Sequence, residues 1–291
     1  MRLNREIRLI FKRALREDIG REDITTLFTI PYHFKTESII IAKEAGVLCG
    51  LEIARAVFKE RGGSLDFKAF KKDGDVFMNN EKIALIKGDA RLILSAERVA
   101  LNFLSLLSGI ATVTRKFVDK TKGTKAKILD TRKTTPNLRI LEKYAVKTGG
   151  GLNHRQTLVD AILIKDNHLR AGRFLNQGKL DEERLGKCIR HLRNLPTVKI
   201  EIEVETLDEF KAILKYKPHV VMLDNFIPSQ IREAVKFRNQ HFPKIKLEAS
   251  GGISMENVKE IAEAGVDFIS IGSLTHSPKA IDFSLEIIEH R

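Results

Sequence analysis

Over the first twenty positions the apolar residues Ile7, Ile10, Phe11, Ala14 and Leu15 recur at helical spacing, and Gly20 follows as a stop. This predicts an amphipathic helix. Asp23 and Thr25 then supply cap or turn chemistry, which accounts for that segment structurally. The β-rich alternation from Thr36 to Val47 predicts strands, as do the runs Leu65 to Phe70 and Ile83 to Leu94, with a helix over Leu51 to Lys59. A long helix is expected next, with Ser95 as its N-cap, Arg98 in its first turn, and an apolar face through Leu101, Leu104, Leu107 and Ile110. Strands and helices mixed without regular alternation predict an α+β open sandwich over residues 1–115.

From Ala126 onward the pattern becomes strand, loop, helix, repeated. The apolar runs Ala126 to Thr131, Ala161 to Lys165, Ile200 to Val204, Val220 to Leu223, Lys246 to Ala249 and Phe268 to Ile271 are strand candidates. Amphipathic stretches separate most of them: Leu138 to Val146, Glu183 to Leu192, Leu207 to Leu214, Ile231 to Phe237 and Val258 to Ala264. This predicts a parallel α/β domain over residues 116–291, with a C-terminal helix packing back on the first domain. The readable strands fall short of the eight of a full barrel, so an incomplete or irregular parallel β/α barrel is expected. An open doubly wound sheet is the alternative, but no GxGxxG follows a strand.

In such barrels the C-terminal strand ends carry the chemistry. Those ends read Arg132 and Lys133, then Lys165, Glu203, Asp224, Ser250-Gly251-Gly252 and Gly272-Ser273. Cations come early, carboxylates in the middle, and small residues last. Arg132, Lys133, His154, Arg155 and Lys165 surround the Gly149-Gly150-Gly151 turn with no acidic residue at the same tips, so a small ligand with several negative charges is expected there. The glycine loops ASGGIS and ISIGSL are phosphate candidates, because glycine lets backbone amides approach anionic oxygens. Glu203 and Asp224, at successive strand ends beside such a loop, suit Mg²⁺, which takes one or two carboxylates plus waters and phosphates. Glu201 and Glu205 would share the face of Glu203, and spacing does not rank the three.

Composition narrows the partners. The net charge is +13, yet no basic run is interleaved with aromatics, so nucleic acid is not an expected partner. Two isolated cysteines, Cys49 and Cys188, support neither a zinc site nor a disulfide framework, and the reduced cytoplasm is the expected location. The N-terminal stretch lacks the apolar region of a signal peptide. Val99 to Thr114 falls short of the roughly 20 apolar residues of a span, so no membrane association is expected.

The blocks TRKTTP and GGGLNHRQTLVDAILIKDNH closely resemble the quinolinate phosphoribosyltransferases, a similarity that extends over essentially the whole chain. The resemblance implies a type II phosphoribosyltransferase-like barrel. It implies transfer of the phosphoribosyl group of 5-phosphoribosyl 1-pyrophosphate to quinolinate, with decarboxylation to nicotinate mononucleotide. In that family Thr131, Arg132, His154, Arg155 and Lys165 would surround quinolinate, and Lys133 would face the pyrophosphate. Glu203 is the acid selected beside Asp224 for Mg²⁺ and the ribose, with Ser250, Gly251, Gly252, Gly272, Ser273 and His276 near the phosphate. The segment ERVALNFLSLLSGIAT is similar to the family helix whose arginine, here Arg98, reaches the pocket of a neighbouring subunit. A homodimer, or a higher oligomer built from it, follows. Asn137 departs from the family's usual glycine, and asparagine also tolerates left-handed geometry. A nicotinate-type phosphoribosyltransferase, a Schiff-base aldolase using Lys165 and a non-catalytic anion-binding barrel are the competing readings.

Overall fold

The computed structural model describes residues 3–176, 179–195 and 199–288. In chain order the strands begin with β1 (Lys35–Ala42), β2 (Gly46–Val47), β3 (Asp66–Ala69), β4 (Val76–Phe77), β5 (Lys82–Asp89), β6 (Lys127–Leu129) and β7 (Ala161–Ile164). They continue with β8 (Leu175–Asn176), β9 (Lys179–Leu180), β10 (Lys199–Val204), β11 (Val220–Asp224), β12 (Lys246–Ser250), β13 (Phe268–Ser270) and β14 (Phe283–Ile288). The chain divides into two compact units. The first holds residues up to 115 together with 134–150 and those from 273 onward, and the second holds 116–133 and 151–272.

In the first unit, β14, β1, β5 and β3 form a four-stranded sheet in that order, with antiparallel pairs throughout. The helix Arg5–Ile19 buries Ile7, Phe11 and Leu15, with Asn4 accepting from the Ile7 N–H at 2.9 Å as its cap. Asp23 acts as a cap, accepting from the Thr26 N–H at 3.0 Å at the start of a further short helix, Ile24–Thr29. The long helix runs Ala90–Lys120, so Ser95 lies inside it and not at its start. Asp89 serves its first turn, accepting from the Arg91 N–H at 2.9 Å, while the Ser95 hydroxyl accepts from Arg61 Nε at 3.0 Å. By length and composition this helix is apolar enough to cross a membrane, but 67% of its most apolar stretch is buried inside the protein, as in a core helix.

Two expectations change here. The chain end is a strand, β14, paired with β1 from Ala42 opposite Phe283 to Glu37 opposite Ile288, and no helix ends the described chain. The expected uninterrupted second domain of 116–291 is also broken. Gly149, which closes the helix Arg139–Thr148, sits so near Ala111 and Thr114 that a Cβ would fall 2.5 Å from the Ala111 carbonyl. Arg115 Nε donates to the Gly149 carbonyl at 2.9 Å, and the Tyr144 hydroxyl donates to Asp73 at 2.7 Å. These contacts tie residues 134–150 to the first unit.

The second unit is built on a six-stranded sheet in the order β6-β13-β12-β11-β10-β7, every pair parallel. Each strand lies beside its neighbour in the sequence except β6 and β7, and β6 closes against the last strand instead. That cyclic order is a barrel left open between its first two strands, as expected, where a doubly wound sheet would reverse direction from its centre. At the opening a lone bridge joins Leu129 to Leu152. Ile200, Ile202, Val221, Leu223, Leu247 and Ile269 are almost completely buried.

A buried ion pair holds the far end of this sheet. The Arg238 guanidinium, 2% exposed, donates to Asp267 at 3.0 Å and to the Ile245 carbonyl at 2.6 Å. Burial alone would raise the Asp267 carboxyl, but bonds from the Leu247 N–H and Lys246, with the Arg238 charge, outweigh it and hold the group below its ordinary value. The pair therefore contributes stability above the unfolded-state pKa of aspartate, and that contribution is lost as pH falls through the depressed folded value. Asp267→Ala should destabilise the fold by about 3–5 kcal/mol, because it leaves Arg238 buried and uncompensated. Urea unfolding at neutral pH checks this, and an unchanged midpoint would refute it.

Candidate active site

At the C-terminal side of the barrel, several of the charged residues that the sequence pattern singled out meet: Lys165 with Glu203, His154 with Glu201, and Arg155 near Arg132. Lys165 follows β7, and its ammonium lies 2.9 Å from Glu203 at the end of β10. Beyond β6, Asp130 is completely buried and accepts from the His154 N–H at 2.9 Å, which fixes the backbone of the histidine. His154 Nε2 lies 2.9 Å from Glu201. Because an ionised carboxylate only accepts, Nε2 carries a proton in that contact. Arg155 donates to the Ala161 carbonyl at 2.9 Å. Burial, and then the like charge of Arg132 nearby, push the Arg155 guanidinium below its ordinary value. Thr131 accepts from the Lys133 N–H at 3.0 Å and shapes the start of that loop.

One expectation fails here. The cations are not without acidic company, since Glu201 and Glu203 lie on the inner face of β10 and pair with His154 and Lys165. Period-two alternation explains why both point inward. Glu205 does not join them: β10 ends at Val204, and Glu205 is exposed, with its N–H donating to Glu209 at 2.9 Å.

On the next strands, Asp224 ends β11 and pairs in register with Ser250 at the end of β12. Asn225 donates from its side chain to Asp224 at 2.9 Å and from its backbone to the Ser250 carbonyl at 2.8 Å. Gly251 follows at φ +84°, and a Cβ there would fall 2.2 Å from Asn225 Oδ1. Only glycine fits both the left-handed backbone and that close approach. Gly252 is also left-handed at φ +60°, and its carbonyl accepts from Asn257 at 2.9 Å. Gly272 follows β13, while Ser273 opens the four-residue helix Ser273–His276. His276 is exposed, with Nδ1 2.6 Å from the Ser277 hydroxyl. Ser273, His276 and Arg98 belong to the first unit and the other candidates to the second. Arg98 is 62% exposed, with Glu97 at 3.8 Å. Asn137 adopts φ +65°, the left-handed geometry its substitution for glycine required.

The sequence reading passed over Asp130, Glu248 and Ser270. Glu248, 2% exposed, accepts a short hydrogen bond from the Ser270 hydroxyl and lies 3.9 Å from His154. Burial first, and then the charge of Glu201, raise its carboxyl well above the usual range. His154, Glu201 and Glu248 also form a group whose donor atoms lie within 4.8 Å of one another, and it is not the expected metal pair of Glu203 and Asp224. The signal for Glu248 was its place two residues before Ser250 on one strand, hence on the same face.

Profiles of the quinolinate phosphoribosyl transferase N-terminal and C-terminal domains match residues 23–108 and 110–286. The chain belongs to the quinolinate phosphoribosyltransferase family. It is 39% identical over 283 residues to the nicotinate-nucleotide pyrophosphorylase [carboxylating] of Mycobacterium leprae, covering 95% of each chain. It is 41% identical over 272 residues to the probable enzyme of that name from Bacillus subtilis, covering 93% of this chain and 90% of that one. The solved nicotinate-nucleotide pyrophosphorylase of Francisella tularensis superposes with a TM-score of 0.89 at 38% identity, over 99% of this chain and 98% of that one. The quinolinate phosphoribosyltransferase C-terminal match contains every site candidate except Arg98, which lies in the N-terminal match.

Proposed function

We propose that this protein transfers the phosphoribosyl group of phosphoribosyl pyrophosphate to quinolinate and decarboxylates the adduct. The products are nicotinate mononucleotide, pyrophosphate and CO₂, in the de novo synthesis of NAD. The observations that support this reading best are a cationic group, with Arg132 after β6, His154 and Arg155 in the connection to β7 and Lys165 after β7, and a second group of the β10 and β11 carboxylates with the glycine loop after β12. A pyridine with two carboxylates suits the first group, and a phosphorylated ribose suits the second.

In this reading Arg132, His154 and Arg155 orient quinolinate so that its ring nitrogen faces C1 of the ribose. As the C1–O bond to pyrophosphate breaks, positive charge grows on the ribose, and Glu203 and Asp224 are the carboxylates placed to favour it. Lys165 completes the cationic group around quinolinate, and Lys133 neutralises the departing pyrophosphate. Ser250, Gly251, Gly252, Gly272, Ser273 and His276 are assigned to the 5-phosphate. Carbon dioxide then leaves from the ring carbon beside the quaternised nitrogen; the electron pair stays on that carbon, stabilised by the neighbouring positive charge, and a proton adds there.

Glu203 and Asp224 are also the proposed Mg²⁺ ligands. Both are hard oxygen donors at the ends of the adjacent strands β10 and β11, beside the glycine loop, which suits a cation that retains waters and takes phosphate oxygens. When bound, the metal lowers the charge on the leaving pyrophosphate. We further infer a homodimer in which Arg98 serves the partner's barrel. Its exposure supports this, as do Ile24, Phe28, Tyr32 and Phe34 of the same unit, which are 52–84% exposed. Free Cys49 and Cys188 fit a reducing compartment, and we assign the protein to the cytoplasm.

The test is turnover of quinolinate and phosphoribosyl pyrophosphate with Mg²⁺, following nicotinate mononucleotide and CO₂, with nicotinate in parallel. Product should form from quinolinate alone, and chelation by EDTA should stop it until Mg²⁺ is returned. Product from nicotinate alone would retain the phosphate half and refute the diacid pocket.

A further inference from the structure

Beneath the diacid end of the barrel lies a buried polar chain from Ser270 through Glu248 and Glu201 to His154. Glu201 Oε2 receives His154 Nε2 at 2.9 Å. Its other oxygen, Oε1, is also buried, and no N–H or O–H of the described residues reaches it. A buried carboxylate oxygen can only accept, so an acceptor without a donor is costly. The Glu248 carboxyl is close to the Glu201 carboxylate: one oxygen of each and a His154 ring nitrogen lie within 4.8 Å of one another. Two ionised carboxylates so close and so dry would repel each other strongly. One proton on Glu248 resolves both problems. It supplies the missing donor to Glu201 Oε1, while Glu248 Oε1 continues to accept from the Ser270 hydroxyl.

We propose that Glu248 is a positioning residue of the quinolinate site: a neutral acid whose hydrogen bond to Glu201 Oε1 holds that carboxylate where it pins the His154 imidazole. Burial followed by the charge of Glu201 favours the neutral form. A divalent cation on the same three side chains would instead require both carboxylates ionised. The proposal rests on His154 facing quinolinate, and the test separates the two ideas.

Three full-length variants are assayed: Glu248→Gln, Glu248→Ala and His154→Ala. Glutamine reproduces the neutral acid, with an N–H for Glu201 and an oxygen for Ser270. Glu248→Gln should keep the quinolinate KM within about threefold, while Glu248→Ala should raise it about tenfold with the phosphoribosyl pyrophosphate KM unmoved. In a His154→Ala background the alanine at 248 should add little further loss. Equal impairment by Gln and Ala would overturn the proposal in favour of an ionised or metal-bound Glu248. So would an unchanged quinolinate KM in Glu248→Ala alongside a raised one in His154→Ala. An unchanged quinolinate KM in His154→Ala itself would instead overturn the underlying site reading. Infrared difference spectroscopy needs no alanine variant: the wild-type protein should show a protonated-carboxyl stretch that disappears in Glu248→Gln, and its absence would overturn the proposal.

Discussion

Lys165→Ala should leave a folded protein whose quinolinate turnover falls by about two orders of magnitude. The Lys165 ammonium touches Glu203 at 2.9 Å, and both side chains occupy the rim where the proposed substrates would meet. Once bound substrate excludes water from this rim, losing a charge-assisted contact to it costs about 2–4 kcal/mol of transition-state stabilisation, or roughly 30-fold to 900-fold in kcat/KM. A stability effect accompanies it. Glu203 is 8% exposed and would lose its cation, but Lys165 is 45% exposed, so water already screens the pair and the cost in folding should be near 1 kcal/mol. The separation of these magnitudes makes the experiment decisive. Steady-state kinetics beside a thermal melt should show a large loss of rate with a small shift in melting. Near-native kcat/KM in a folded variant would remove Lys165 from the site.

Chains carrying Arg98→Ala and chains carrying Arg132→Ala should each be severely impaired alone and should recover activity when mixed. If Arg98 serves the partner's barrel, a mixed dimer contains one site with both substitutions and one with neither. The purified mixed dimer should then run at about half the wild-type rate, because an isologous dimer has two equivalent sites. If Arg98 serves its own barrel, each site in the mixed dimer retains one lesion and nothing is restored. Differently tagged chains, purified through both tags and assayed against each parent dimer, distinguish the outcomes. No recovery in verified mixed dimers would rule out the shared site. The same preparation reports whether the protein dimerises at all.

Much of the barrel and most of its rim could be read from local pattern. Apolar runs of four to six residues ending in charged residues or in small ones marked β6, β7, β10, β11, β12 and β13 to within a few residues, because a strand buried on both faces has little freedom in composition. The strand ends in turn located Lys165, Glu203, Asp224 and the Gly251-Gly252 turn. Errors collected where a local preference was overruled at a distance. Ser95 has good capping chemistry, yet the helix begins at Ala90, because Asp89 serves its first turn and Ser95 is engaged by Arg61. The chain end was expected as a helix packing on the first domain, and it forms β14 because β1 presents an edge to pair with.

Local sequence determined the parallel α/β class, the order of charge types along the strand ends and the glycines that only a left-handed turn requires. Each of these depends on residues close in the chain, through side-chain periodicity or backbone sterics. Tertiary structure alone decided that Glu201 meets His154 across 47 positions, that Glu248 and Ser270 complete that buried chain, and that residues 134–150 join the first unit. Closure of the barrel sets those meetings, since it fixes which strand ends are neighbours. A carboxylate's chemistry then follows from the groups beside it and the water it has lost, and neither is written in its own neighbourhood of the sequence.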